Sequence, residues 1–223
     1  IITKKRNTKQ GAMQQLLTGK KRLPGFSGEW EVKKLGEIGE CIIGLTYKPE
    51  NVKESGLLVL RSSNIGDNQL KFEDNVFVDI EVPEKLITKE GDILICVRNG
   101  SRQLIGKNAL IDKDFEGLTF GAFMSVYRTE FYQYVFHAFQ SNNIKKQINE
   151  NIGATINQIT NKNLNSFEIL LPSLEEQKAI AQILSDMDAQ IAALEQKRDK
   201  YKVIKQGMMQ KLLTGKTRLI TNC

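Results

Sequence analysis

The segment LPSLEEQKAIAQILSDMDAQI at residues 171–191 opens the longest regular pattern in the chain and determines the architecture that we expect. Ser173 and Glu176 stand three residues apart at its start, in the arrangement of a capping box, and so predict the first turn of a helix. Apolar residues then recur at heptad spacing from Ile180 to Met208. The segment therefore predicts one helix of about 40 residues, which is about 60 Å long.

This long helix carries an apolar seam that a second helix is expected to cover. Arg198 and Lys205 interrupt the seam, as in a coiled coil with two polar breaks. We expect a homodimer, or a close pairing with residues 1–18, through antiparallel helices; a helix buried in the core of its own domain is the alternative. An antiparallel homodimer would place two globular domains at opposite ends of the helix pair. The residues assigned to the seam are Ile180, Leu184, Met187, Ile191, Leu194, Tyr201 and Met208.

A near-repeat links the two ends of the chain. Residues 11–23 read GAMQQLLTGKKRL and residues 207–219 read GMMQKLLTGKTRL, with ten of thirteen positions identical. The copies are 196 residues apart, far more than the repeat of about 20–50 residues in a solenoid. We therefore expect the tail of one unit followed by one complete unit. Because Ile1 is not a natural first residue, a fragment or a trimmed form of a longer protein is expected.

Between the repeats, the sequence has the pattern of a globular α+β domain. Short β-type runs, punctuated by Gly, Asn and Asp, occupy residues 57–61, 76–80, 92–98 and 119–128, and a helical pattern covers residues 131–152. We predict an α+β fold: a mixed α/β domain with a twisted β-sheet, followed by one long C-terminal helix in an antiparallel pair or coiled coil. The expected boundaries are 1–23 for a preceding helical tail, 24–172 for the domain, 173–216 for the long helix and 217–223 for a terminal tail.

The net charge of +6 is unevenly distributed along the chain. Residues 1–23 contain seven basic and no acidic residues, residues 197–218 contain eight basic residues and one acidic residue, and residues 24–196 have a net charge of −8. Any contact of the middle of the chain with nucleic acid therefore requires a local basic face. From charge alone, two solvated basic helix ends are an equally good interpretation.

Several function classes lack their characteristic residues. His137 is the only histidine, so a multi-histidine metal site is excluded and a helix residue is the simplest interpretation. Cys41, Cys96 and Cys223 are far apart in sequence, and Cys96 lies in an apolar run as a small core residue. Neither a phosphate-binding glycine motif nor an apolar run of about 18 residues is present. We expect no catalysis, no bound metal or cofactor, no membrane span and a reducing, cytoplasmic environment.

Four stretches of the sequence resemble type I restriction-modification specificity (S) subunits. The strongest part of the resemblance is the spacing EQ-x-x-IA-x-IL-x-x-x-D, which begins at Glu176. The resemblance covers nearly the whole chain, and residues 28–171 resemble the target-recognition domain of these proteins. The four stretches are GEWEVKKLGEI at 28–38, GATINQIT at 153–160, the segment at 171–191 and GMMQKLLTGKTRL at 207–219.

The resemblance implies DNA sequence recognition without catalysis. In this family each target-recognition domain reads one half of a split site in double-stranded DNA, while methyltransferase (M) subunits carry the chemistry and bind S-adenosylmethionine. Restriction (R) subunits join the full complex. A complete S subunit has two such domains separated by two long antiparallel helices, so this chain resembles a half-subunit. The basic LLTGK ends and the acidic residues Glu175, Glu176, Asp186 and Asp188 are then expected to dock the M subunits.

Polar loops beside the predicted strands supply the candidate DNA-reading residues. Such loops hold polar groups on a rigid scaffold, and Arg bonds bidentately to guanine while Asn and Gln suit adenine. The loop with Arg98 and Arg102 is the favoured set, because Gly100 allows a tight turn between them. Lys145 and Lys146 are expected to contact phosphate or solvent. The candidates are Thr46, Tyr47, Lys48, Arg61, Ser62, Ser63, Asn64, Arg98, Asn99, Ser101, Arg102, Gln103, Thr155, Asn157 and Gln158.

Other interpretations remain open from the sequence. The Asn-Gly and Ser-Ser pairs in these loops are also ordinary turn residues, so each candidate has a purely structural alternative. A second function is a protein-interaction adapter whose coiled coil docks partners and whose domain binds no DNA; salt-dependent binding to duplex DNA separates the two functions. A third is a self-contained DNA enzyme, against which the missing nucleotide-binding and nuclease motifs argue.

Overall fold

The computed structural model describes residues 1–153 and 156–215, so Thr155 and the predicted tail at 217–223 lie outside the described residues. The chain divides into two compact units. We call the first, Ile1–Ala12 with Gln182–Cys223, the helical unit, and the second, Met13–Ala181, the α/β unit. The first turns of the long helix belong to the α/β unit and the remainder to the helical unit.

The described residues contain six α-helices and twelve strands. The helices are α1 (Ile2–Leu16), α2 (Leu35–Ile38), α3 (Tyr132–Phe139), α4 (Asn142–Asn151), α5 (Asn161–Ser166) and α6 (Leu174–Leu213). The strands are β1 (Glu31–Lys34), β2 (Glu40–Ile43), β3 (Val52–Lys53), β4 (Leu57–Leu60), β5 (Ile65–Gly66), β6 (Gln69–Leu70), β7 (Phe77–Val78), β8 (Ile93–Cys96), β9 (Asn108–Leu110), β10 (Thr119–Phe120), β11 (Met124–Arg128) and β12 (Glu168–Leu171). The α+β class and the long C-terminal helix, which has 40 residues, are confirmed.

Two four-stranded sheets form the framework of the α/β unit. Their strand orders are β10-β4-β7-β3 and β2-β11-β8-β9. Neighbouring strands are antiparallel, except that β10 runs parallel to β4. β8 has the sequence ILIC and is buried along its whole length, because its apolar side chains on both faces are covered. A separate pair, β1 with β12, joins the beginning of this unit to its end, with Glu31 opposite Leu171.

The run at residues 119–128, which we expected to be one strand, is divided between the two sheets. β10 pairs with β4, whereas β11 pairs with β2 and β8. The N–H group of Gly121 donates to the carbonyl of Leu60 (3.0 Å), and its own carbonyl accepts from the N–H group of Met124 (2.8 Å). The backbone therefore turns between the two sheets, and residues 121–123 form a short link. Because Ala122 and Phe123 are apolar like the strands on either side, the sequence does not show where the strand ends.

The helical pattern at residues 131–152 is likewise divided, into α3 and α4. The Ser141 hydroxyl accepts from the N–H group of Ile144 (3.3 Å) and so caps the start of α4. Val135 of α3 and Ile148 of α4 are both buried. The expectation of a single helix was wrong. Buried apolar residues continue on both sides of the break, but the backbone begins a new helix at the cap formed by Ser141.

The start of α6 matches one half of the predicted capping box. The Ser173 hydroxyl accepts from the N–H group of Glu176 (3.4 Å), as expected of an N-cap. The Glu176 carboxylate, however, accepts from the guanidinium of Arg22 (2.7 Å) and from the indole N–H of Trp30 (3.0 Å). Glu176 is only 1% exposed, so the expectation that it docks M subunits was wrong.

Within the helical unit, α1 and α6 are joined by ion pairs. Lys9 pairs with Asp188 (2.6 Å) and Arg6 pairs with Glu195 (2.6 Å). Because the later residue of α1 contacts the earlier residue of α6, the two helices are antiparallel. Of the two arrangements that we expected, a homodimer or a pairing with residues 1–18, these contacts show the pairing within the chain.

The predicted seam of α6 is covered along only part of its length. Ile180, in the α/β unit, and Leu184 and Ile191, in the helical unit, are buried, and Met187 and Leu194 are half-buried. Tyr201 and Met208 are 60% and 57% exposed. The described residues therefore leave the last two positions of the seam without a covering helix.

Candidate nucleic-acid interface

Two of the predicted loops line one cleft of the α/β unit, which we call the first cleft. β2 leads into residues 46–47, β4 leads into residues 61–63, and the link at residues 121–123 closes the cleft between them. Its volume is about 570 Å³. Lys48 does not line it, and its ammonium group lies 3.6 Å from the carboxylate of Glu50.

Gly44 allows the first of these loops to lie against the link. A Cβ atom at Gly44 would stand 2.1 Å from the carbonyl oxygen of Gly121, so no side chain fits there. The neighbouring Leu45 N–H group donates to the carbonyl of Phe120 (2.7 Å) and fixes the contact. This close approach of two backbone segments places Tyr47 beside residues 121–123 in the cleft wall.

Arg61 and Asn64 have different surroundings although they were predicted as one set. The Asn64 side chain is buried; its Oδ1 accepts from the backbone N–H group of Arg61 (2.9 Å) and its Nδ2 donates to the carbonyl of Lys71 (2.9 Å). Asn64 therefore closes the turn and offers nothing to a ligand. The Arg61 guanidinium lines the cleft, where it pairs with the carboxylate of Asp74 (2.8 Å).

Hydrogen bonds join the loop at residues 98–103 to the loop at residues 61–64 and to the segment at residues 156–158. The Asn99 Nδ2 donates to the Ser62 hydroxyl (3.0 Å), and the Asn157 Nδ2 donates to the carbonyl of Gly100 (2.9 Å). Gln158 forms an antiparallel bridge with Arg98. These contacts thus bring together segments that lie far apart in sequence.

The turn after β8 is formed by Asn99. Its Oδ1 accepts from the N–H group of Ser101 (2.9 Å), which is the geometry of an Asx turn. Gly100 has no left-handed φ, and a Cβ atom there would meet open space. The expectation that Gly100 is needed for this turn was wrong, because the asparagine side chain closes it instead.

Arg98 stacks on an aromatic residue that we did not predict. Its guanidinium carbon lies 4.9 Å from the centroid of the Phe123 ring, within the range of a cation–π contact. Phe123 belongs to the first cleft and is 53% exposed. We did not predict Phe123 because Gly121-Ala122-Phe123 lies within the run at residues 119–128. The apolar residues of that run are continuous, so these three residues resembled the interior of a strand.

Arg102 and Gln103 face a different depression, which we call the second cleft. It has a volume of about 290 Å³, and Lys107 and Lys145 also line it. The Arg102 guanidinium donates to the carbonyl of Asn149 (3.0 Å) at its rim. The structure therefore separates the two arginines that we expected to act together: Arg98 belongs with the first cleft and Arg102 with the second.

The described residues offer little reactive chemistry near these clefts. Burial raises the pKa of the Cys96 thiol to about 11, so the thiolate that would act as a nucleophile is disfavoured. In residues 1–153 and 156–215 no three His, Cys, Asp or Glu side chains are grouped so that they could hold a metal ion. No helix in the same ranges is both long and apolar enough to cross a bilayer. The clefts are equipped for hydrogen bonding and for cation contacts.

Comparisons with known sequences point to one family. The sequence model of the Methylase_S family, the type I restriction modification DNA specificity domain, matches residues 27–203. The specificity subunits of the type I restriction enzymes StySPI, from Salmonella potsdam, and EcoKI, from Escherichia coli strain K12, are each 30% identical to this chain and cover 83% of it. The chain spans only 43% and 42% of the length of these two relatives.

Comparisons with solved structures show the same fold. The HsdS subunit from Thermoanaerobacter tengcongensis matches 94% of this chain with a TM-score of 0.62 and 20% identity. The S subunit of a type I restriction-modification system from M. genitalium matches 99% of the chain with a TM-score of 0.66 and 15% identity. This chain covers 50% and 56% of those two chains, about half of each.

Proposed function

Because this chain belongs to the type I restriction-modification DNA specificity family, we propose that it is a DNA sequence-recognition subunit that reads one half of a bipartite site in double-stranded DNA. It is not catalytic: it scaffolds M subunits, which bind S-adenosylmethionine, and R subunits join the full complex. It acts in the cytoplasm. The names of its relatives, which are specificity subunits of type I restriction enzymes, support this proposal.

The observation that carries the proposal is the convergence of polar loops on the first cleft. Residues 46–47 and 61–63 line it, Arg98 stacks on its wall, and the Asn99–Ser62 hydrogen bond (3.0 Å) ties two of the loops together. Groups fixed in this way at strand ends can meet the donor and acceptor pattern of base edges without losing much freedom on binding.

The second cleft has the composition of a phosphate contact. Arg102, Lys107 and Lys145 line it and place three cationic side chains around one depression. Phosphate contacts fix the register of a protein on DNA and carry no sequence information. Since residues 24–196 have a net charge of −8, the M subunits supply a large share of the remaining phosphate contacts.

Assembly follows from the uncovered part of the seam. Tyr201 and Met208 are large apolar side chains that stand in solvent in the isolated chain. A homodimer through antiparallel helices covers them and brings two recognition domains into one complex. Each chain then reads one half-site.

DNA binding at increasing salt tests the proposal against the adapter alternative. We would measure fluorescence anisotropy of labelled duplexes of random sequence with the M subunits alone and with M subunits plus this chain. The expected result is tighter binding with the chain, with log K falling linearly with log salt concentration. An adapter would assemble with the M subunits and leave their DNA affinity unchanged. Methyl transfer to DNA by the chain alone would contradict the non-catalytic assignment.

A further inference from the structure

We propose that Phe123 is a positioning residue that holds Arg98 to read one guanine of the target half-site. The inference rests on the proposed function and goes beyond it, because it assigns one base contact to one pair of side chains. The ligand is the major-groove edge of guanine, with its N7 and O6 acceptors.

The backbone fixes the two residues relative to each other. The N–H groups of Val97 and Arg98 both donate to the Phe123 carbonyl, at 3.0 and 3.1 Å. The Arg98–Gln158 bridge secures the other side of the same segment. The two Cα positions are therefore set by the sheet framework, and only the side-chain rotamers of Arg98 and Phe123 remain to be chosen.

The ring selects the orientation of the guanidinium. The Arg98 guanidinium carbon lies over the Phe123 ring, 4.9 Å from its centroid, so the ring limits the positions open to the guanidinium. A cation–π contact uses none of the hydrogen-bond donors of the guanidinium, so its N–H groups can still bond to a base. A side chain held in this way loses less rotamer freedom when it binds.

Arg98 differs from the other two arginines of the predicted loops. Arg61 is paired with the carboxylate of Asp74, and Arg102 donates to the carbonyl of Asn149. In the described part of the chain, no carboxylate or carbonyl accepts a hydrogen bond from the Arg98 guanidinium. Its donors are exposed and ready for an external acceptor.

The exposure of Phe123 indicates a role outside the core. Its neighbour Met124 is buried, whereas the Phe123 ring is 53% exposed and forms the cleft wall. Apolar surface is more stable when it is removed from water. Binding of DNA over this pair would cover the Phe123 ring and would supply acceptors to the Arg98 guanidinium.

Guanine is the base that fits this donor. The planar guanidinium fork matches the N7 and O6 acceptors of guanine, whereas adenine presents an amino donor at the position of O6. The expected discrimination for one bidentate contact is roughly tenfold or more between guanine and the other bases.

The test is selection of bound DNA from a randomised duplex library by the chain assembled with M subunits. The wild-type complex should enrich a motif that contains a guanine, and Arg98→Ala and Phe123→Ala should each lose about tenfold of the preference at that one position. Phe123→Tyr, which keeps an aromatic ring, should retain the wild-type preference at that position. Arg102→Ala serves as the matched control: it should lower recovery of DNA without changing any letter of the motif.

A modified base tests whether Arg98 contacts N7 of that guanine. In the enriched duplex, 7-deazaguanine at that position should weaken the wild-type complex and should have no further effect on Arg98→Ala. Three results would overturn this inference without touching the proposed function. They are an unchanged motif in Arg98→Ala or Phe123→Ala, an equal loss of preference at every position, and loss of the guanine preference in Phe123→Tyr. If the wild-type complex enriches no motif, the proposed function fails and the inference fails with it.

Discussion

Glu176 is a buried carboxylate whose two oxygens are both bonded to other side chains of the α/β unit. Arg22 contacts both oxygens, and its guanidinium also lies over the Trp30 ring, 5.4 Å from the centroid. Glu176→Gln keeps the shape and removes the charge, so we expect the free energy of unfolding to fall by about 2 kcal/mol. Urea denaturation of the full chain measures this. Glu175→Gln, one residue away and exposed, is the control, and equal stability of the two variants would contradict the assignment.

Gly44 is a residue at which a side chain would collide with the backbone of a neighbouring segment. Because a Cβ atom would stand 2.1 Å from the Gly121 carbonyl oxygen, Gly44→Ala must push two backbone segments apart. We expect a loss of about 1–3 kcal/mol in stability and a lower melting temperature. Gly100→Ala, which meets open space, should melt like the wild type. Identical melting of the two variants would mean that the contact at Gly44 is not required.

At the scale of elements, regular patterns were predictable and interruptions were not. The long helix was found because its heptads persist over many turns and a serine caps its start. The breaks at Gly121 and Ser141 were missed because apolar residues continue on both sides of each. What changes at these points is the hydrogen-bond partner of the backbone, and that depends on distant strands and helices.

The near-repeat shows how far burial departs from local sequence. In the first copy the apolar positions are buried, and in the second the corresponding positions are exposed. The buried residues are Met13, Leu16 and Leu17, and the exposed ones are Met209, Leu212 and Leu213. Nearly identical segments therefore have different surroundings.

The uncovered end of α6 leads to a prediction about assembly. Met208→Glu places a charge in the seam, so it should convert the expected homodimer into a monomer, because an unpaired charge would be buried in the interface. Gln206→Glu adds the same charge at an exposed site two residues away and should remain dimeric. Light scattering measures the mass of each variant. A monomeric wild type, or a dimeric Met208→Glu variant, would contradict the prediction.

At the scale of the whole molecule, the sequence identified most of the loops of the candidate interface but not their arrangement. Residues 46–47 and 61–63 were found as polar segments at strand ends, and the structure brings them into one cleft. The burial of Asn64 and the separation of Arg98 from Arg102 depend on tertiary contacts, as does the stacking of Phe123. Local composition cannot show which polar side chains form hydrogen bonds within the fold and are therefore not available to a ligand.

The central claim is that this chain determines the DNA sequence on which its complex acts. Sequencing of methylated positions in a bacterial host that expresses the M subunits with this chain tests it most directly. We predict methylation at one bipartite motif, with identical half-sites if the chain is a homodimer, and a change in the letters of the motif when first-cleft residues such as Ser62 and Arg98 are replaced by Ala. Methylation at the same motif without the chain, or an unchanged motif in those variants, would contradict the claim.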